Sequence, residues 1–231
     1  MNKIITSYDL KWTALVYSLV LLLLVFFIDL TTPQNSWIFI VKIVIVPFLA
    51  VVALLIAFGR QGIKDIFSKP IKPYKNFFVW YIIMIIMSLI SGILLSLFVN
   101  TPLRGNPGTE HLAQTFISLP FVLLFEEIIS FFFLLAVANI IYKRTKNLFW
   151  AQAAGVAVSA VIFGLLHYTT YYNGNMVDTL AHIIFIQGMA RVFLNLAGLK
   201  SNSLMIPWII HVVFDLNTFL IGTTALIIIY W

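Results

Sequence analysis

Residues 121–135 read Phe-Val-Leu-Leu-Phe-Glu-Glu-Ile-Ile-Ser-Phe-Phe-Phe-Leu-Leu, which places Glu126 and Glu127 side by side in an almost wholly apolar stretch. An ionisable side chain at the middle of a bilayer costs at least about 2.5 kcal/mol, so lipid cannot hold two of them. Both must face a polar cavity or a partner inside a bundle of helices. Two adjacent anions in a medium of low dielectric also repel, which requires that one be neutralised or paired. A purely structural alternative has the pair doing no more than bonding neighbouring helices.

The rest of the chain has the same character. Of its 231 residues, 62% are apolar and only 10% charged, with a mean hydropathy of +1.05, whereas soluble domains are about 25% charged. A water-soluble fold is excluded. A helix needs roughly 20 apolar residues to cross the hydrocarbon, and spans fall near 12–29, 37–58, 77–99, 112–142, 149–168 and 177–197. The apolar stretch at 203–231 is long enough for one tilted helix, but Asp215 and Asn217 in its middle favour a break into two. The expectation is therefore an all-α polytopic transmembrane bundle of about eight helical segments, one membrane domain over 1–231. Without cysteine, disulfides, thiolate catalysis and cysteine-ligated metal are unavailable. The apolar run from Trp12 has no small-residue cleavage site after it and reads as a first span, not a removed signal.

Orientation follows from the basic residues. Lys3 and Lys11 precede the first span, Arg60, Lys64, Lys69, Lys72 and Lys75 fill the loop at 59–76, Lys143, Arg144 and Lys146 follow the fourth span, and Lys200 follows the sixth. The opposite loops hold Asp29, then Arg104 with Glu110, then Asp178. The N-terminus is therefore expected in the cytoplasm of a multi-pass protein of the cell membrane. The net charge of +6 is explained by loops beside anionic lipid and implies no nucleic-acid partner. Pro70 and Pro73 suggest an extended linker, and the Gly-Asn-Pro-Gly run at 105–108 an outer turn.

Two further pairs share the glutamates' setting. Phe163 and His167 stand four apart at the end of the fifth span, on one helix face. His211 and Asp215 repeat that spacing in the last stretch, where a His and an Asp can orient one another, bind a metal or polarise a carbonyl. The remaining polar residues invite plainer readings. His111 and His182 have no sequence partner and read as structural or interfacial. Lys42 can snorkel, and Trp12, Trp37, Trp80, Trp150 and Trp231 look like interfacial anchors. Arg191 lies deep in the sixth span, with snorkelling to the cytoplasmic interface preferred over pairing with a glutamate.

Glu126-Glu127, then Phe163-x-x-x-His167, then His211-x-x-x-Asp215, in this order on separate apolar helices, resemble the CPBP family of intramembrane endopeptidases, the type II CAAX prenyl proteases and their bacterial bacteriocin-processing relatives labelled Abi. The resemblance covers about 112–220. It implies that Glu126 and His167 activate a water against a peptide bond. His211 and Asp215 would then stabilise the oxyanion or hold the water, with Asp215 donating if protonated and otherwise orienting His211. It further implies catalysis without a required cofactor, and a peptide or membrane-protein substrate connected with bacteriocin leader processing, peptide-signal maturation or self-immunity. A Zn²⁺ form held by Glu126, His167 and His211 is the alternative. One position departs from the pattern. The family's Glu-Glu-x-x-x-Arg carries Phe131 here in place of the arginine, leaving Arg191 as the one partner for Glu127 that the sequence suggests.

Two other functions compete with the endopeptidase. A non-catalytic immunity or scaffold protein would keep the fold and bind a partner, and a small carrier would use the glutamates as a proton relay, although no inverted repeat supports it. The endopeptidase also makes a geometric demand. With about 1.5 Å of rise per residue, the spans as drawn put His167 near the outer face and Glu126 nearer mid-bilayer. Their meeting would require the fifth helix to start deeper in the cytoplasm or to tilt strongly.

Overall fold

The computed structural model describes residues 1–31, 35–98 and 112–230, the side chains of 98, 112, 113 and 221–230 excepted. The expected outer turn at 101–108, Arg104, Glu110, His111 and the anchor Trp231 lie outside the described residues. Among those described, every regular element is helical: α1 (Asn2–Ser7), α2 (Trp12–Asp29), α3 (Ser36–Ile66), α4 (Pro73–Phe98), α5 (Leu112–Thr145), α6 (Leu148–Leu166), α7 (Tyr168–Tyr171), α8 (Met176–His182), a π-helical stretch at Ile183–Gly188, α9 (Met189–Ser201) and α10 (Met205–Tyr230). The segment from α8 through the π turn to α9 runs on as one span, Met176–Ser201, and among the described residues six helices are long and apolar enough to cross a membrane. The chain is a multi-pass helical bundle.

Three boundaries differ from those read off hydropathy. The stretch after 203 does not break, and α10 passes unbroken through Asp215 and Asn217. Asp215 faces a cavity and the Asn217 amide donates to the Tyr81 hydroxyl of α4, so neighbouring helices satisfy these polar groups and the backbone need not. The loop expected at 59–76 begins late, because α3 continues to Ile66 across a kink at Gly59, whose φ of 70° suits glycine alone. Pro73 does not belong to a linker but opens α4, where its missing N–H costs nothing.

The basic segments gather at one end of the bundle. Lys3 pairs with Asp65 at 4.0 Å and Lys143 with Asp9 at 3.6 Å. The Ser68 hydroxyl donates to the Asn202 carbonyl at 2.8 Å, and backbone bonds join Ile71 to Ser201 and Leu204 to Ile66. At the other end of α2 and α3, the Lys42 ammonium bonds the Asp29 and Thr31 carbonyls and lies 3.5 Å from the Asp29 carboxylate. It caps the end of α2 as well as approaching the interface.

Central to the bundle is α5, with 67% of its apolar window buried against 17% for α4, whose residues Phe78, Ile82, Ile86, Leu89, Ile93 and Leu97 form an exposed apolar face suited to lipid. The helix α6 lies on α5 through small residues. A Cβ added to Gly155 would fall 2.5 Å from the Leu134 carbonyl, and Ser159 donates to the Ser130 carbonyl at 2.8 Å. At the far end of α6, a Cβ on Gly164 would meet the Ile183 carbonyl at 2.9 Å, so the π stretch also rides close on α6.

The hairpin of α5 and α6 removes the difficulty of depth. Glu126 precedes the end of α5 at Thr145 by as many residues as His167 follows the start of α6 at Leu148, about 28 Å of helix in each case. Neither a deeper start nor a strong tilt is needed. The two residues are level because they are mirrored about the turn at Lys146 and Asn147.

Candidate active site

Adjacent residues of a helix point about 100° apart, and that separation assigns Glu126 and Glu127 different surroundings. Glu127 points into the protein and is wholly buried. Its carboxylate meets the equally buried Arg191 of α9 in a two-pronged pair, Nη1 to Oε1 at 2.7 Å and Nη2 to Oε2 at 2.6 Å. The snorkelling preferred for Arg191 is thus overturned, and the alternative pairing is the one observed. Lipid and water are both out of its reach, and a planar guanidinium matches a carboxylate in a way that repays part of its desolvation.

The same Glu127 carboxylate fixes a histidine. Its Oε1 stands 2.8 Å from His211 Nδ1, and an oxygen already accepting from a guanidinium can only accept from the imidazole, so Nδ1 carries hydrogen. His167 is fixed in the same sense by a different acceptor. At the end of α6 its backbone N–H turns to the Gly164 carbonyl at 3.0 Å, and the ring Nδ1 takes the Phe163 carbonyl at 2.9 Å. The four-residue spacing of Phe163 and His167 therefore has a backbone cause. The Phe163 ring stands 4.6 Å from the His167 ring and 6.2 Å from that of His211, with the Arg191 guanidinium carbon 5.2 Å from its centroid. It is the apolar wedge between the two imidazoles.

With both Nδ1 atoms engaged, both Nε2 atoms face Glu126. His167 Nε2 is 3.8 Å from Glu126 Oε1, and His211 Nε2 is 3.9 Å from Oε2. These gaps exceed a hydrogen bond, and an oxygen atom fits about 2.8 Å from both ends of either one. Glu126, at 20% side-chain exposure, borders a cavity of about 490 Å³ that is also lined by Phe163, His167, His211 and Asp215. All four expected catalytic residues thus meet at one cavity, and the supporting Glu127 and Arg191 lie directly behind it.

Matching against family models finds one region. Residues 107–217 match the model described as type II CAAX prenyl endopeptidase Rce1-like. The resemblance carried by the three motifs is borne out by this match, which covers just under half of the chain. No curated protein and no solved structure shows significant similarity.

Within the matched region, the departure at Phe131 has a spatial counterpart. Phe131 is fully buried, and its ring lies so close to α9 that a Cβ on Gly198 would fall 2.2 Å from it. Arg191 reaches Glu127 from α9, seven residues before that glycine, so the cation missing from α5 arrives from another helix. Two imidazoles and a carboxylate suit Zn²⁺ in kind, but among the described residues no three such donors are arranged to close on one ion. Sequence reasoning passed over Tyr171, although it continues the four-residue spacing from His167. It also assigned His182 no partner. His182 stacks on Tyr171 at 4.6 Å between centroids and both line the cavity; no sequence signal joins them, because the contact is between separate elements.

The buried pair makes a measurable demand. Arg191→Gln and Glu127→Gln are each expected to destabilise the protein by about 3–5 kcal/mol, since each strands a charge. The double variant should lose much less than the sum, as read from denaturation in detergent. Additive losses would mean that the two side chains are energetically independent.

Proposed function

We propose that the chain is an intramembrane endopeptidase in which Glu126 and His167 activate a water held between them. The observation that carries this reading is the approach of both Nε2 atoms to Glu126 at the rim of one cavity, within the Rce1-like region. Glu126 takes a proton as the water oxygen bonds to the carbonyl carbon of the scissile peptide. His211, carrying hydrogen on Nε2 as well as on Nδ1, and protonated Asp215, one helical turn apart, donate to the oxyanion. Collapse breaks the C–N bond, the proton passes from Glu126 to the departing amine, and the products are a new carboxyl and a new amino terminus. Base and donors act in a dry site, where their electrostatic effect is large.

The substrate on this reading is a peptide or a segment of a membrane protein, with bacteriocin or peptide-signal maturation, or self-immunity, as the role that the resemblance implies. A scaffold or immunity protein without catalysis gained its support from the missing motif arginine. Arg191 at the Glu127 carboxylate removes that support. Glu126→Gln keeps shape and most hydrogen bonding while deleting the base, and proteolysis should fall by at least about 10²-fold. Partner binding or immunity that survives this change at equal membrane abundance, with no proteolysis to lose, would establish the scaffold instead.

A zinc form would use Glu126, His167 and His211, the metal supplying a more acidic water and a Lewis acid for the carbonyl. The Nδ1 atoms of the two histidines are already anchored as they are in zinc-binding histidines, and we rank the metal-free form above the zinc form on the family resemblance alone. Activity in detergent should therefore survive a strong chelator. Loss that added zinc restores would select the metal form.

A further inference from the structure

We propose that Asn195 holds an internal water against the Arg191 side chain, and that this hydration site is a further anchor of the guanidinium that positions His211. The supporting observation is a group of polar atoms on one turn of α9. Arg191 Nε, Asn195 Nδ2 and Asn195 Oδ1 are buried with no hydrogen-bond partner among the described residues, and both residues are at 0% exposure. An unpaired donor on a charged group is more costly in such a place than an ordinary hydrogen bond is favourable. Buried groups of this kind are answered by protein or by enclosed water.

The neighbouring protein groups are already committed. The guanidinium gives Nη1 and Nη2 to Glu127 at 2.7 and 2.6 Å, and Nη1 also to the Ser130 hydroxyl at 3.4 Å. The Ser159 hydroxyl goes to the Ser130 carbonyl. Asn195 stands four residues after Arg191 on the same helix face, and helical side chains lean back over the preceding turn, which carries the amide towards the arginine stem. Two buried groups so placed, yet not bonded to each other, are spanned by a water. Its oxygen accepts from Nε–H, and it can give a hydrogen to Oδ1 or accept from Nδ2, whichever end of the amide it meets. Ala190 and Leu194 line the cavity beside Glu126, whereas Arg191 and Asn195 do not, so this water is enclosed as the helices pack and is separate from bulk solvent. A guanidinium held at Nε as well as at both Nη atoms cannot pivot about Glu127, and Glu127 in turn holds His211 Nδ1. Asn195 is therefore a positioning residue, one step behind the ion pair.

The hydration site assumes nothing about activity, while its effect on cleavage rests on the endopeptidase reading, and each has its own readout. Asn195→Leu keeps the forked shape of the amide and removes its polar atoms; Asn195→Ala takes its place if leucine prevents folding. Either change should lower the thermal midpoint in detergent by about 3 °C or more in the native chain. It should cause no loss where Arg191→Met with Glu127→Gln has removed Nε without stranding a charge. Equal losses in both backgrounds, or no loss in the native chain, would overturn the link to Arg191. A cryo-electron microscopy map of the native chain that resolves ordered water should show a peak within about 3.2 Å of both Arg191 Nε and the Asn195 amide. The lack of that peak, or a direct bond between amide and guanidinium, would overturn the water. In peptide cleavage, Asn195→Leu should lower kcat by about tenfold and leave KM nearly unchanged, since the cavity wall is untouched. An unaltered kcat would overturn the positioning role. A native chain that cleaves nothing, with the stability coupling and the peak both present, would keep the hydration site and lose the peptidase.

Discussion

Everything in the site leans on one buried ion pair. Glu127 and Arg191 meet where neither water nor lipid reaches them, and removing either would leave an uncompensated charge in a medium that cannot solvate it. Three helices converge on that point. Glu127 comes from α5, Arg191 from α9, and His211 from α10 donates its Nδ1–H to the same carboxylate. The pair thereby holds a hydrogen on His211 Nδ1 and aims Nε2 at Glu126, while Phe163 on α6 packs against the guanidinium and both imidazoles.

Two consecutive glutamates answer a geometric need that one could not. Because neighbours on a helix diverge by about 100°, one carboxylate is committed to the interior and the other is left at the cavity. Their mutual repulsion is relieved without neutralising either by contact between them, since Arg191 answers Glu127 and the two histidines answer Glu126. The division also explains why the arginine can change helices. Glu127 needs a guanidinium at its oxygens, and the direction of arrival matters less than the arrival, so Phe131 can serve packing against Gly198 while Arg191 serves charge.

Much of this was legible in the sequence. Hydropathy located the spans, the cost of ionisable groups in lipid singled out Glu126, Glu127, His211 and Asp215, and the family resemblance added His167; the five do gather at one place. What failed were inferences that treated a helix as if it stood alone. Asp215 and Asn217 looked like a break because their partners, the cavity and Tyr81, lie on other elements. Arg191 looked free to snorkel because Glu127 is remote from it in sequence. The depths of Glu126 and His167 looked unequal until they were measured from the shared turn at Lys146 and Asn147, a comparison that needed only the hairpin. His182 and Tyr171 show a limit of another kind, since ring stacking between separate elements leaves no periodic trace.

The most direct test of the central claim moves the cation. Proteolysis by purified protein reconstituted in vesicles would be compared among the native chain, Arg191→Leu, and Arg191→Leu combined with Phe131→Arg, which returns the guanidinium to α5 one turn beyond Glu127. If the pair at Glu127 is what aligns His211 and leaves Glu126 to act, the single variant is inactive and the double variant regains cleavage. An Arg191→Leu protein that cleaves as fast as the native chain would contradict the account.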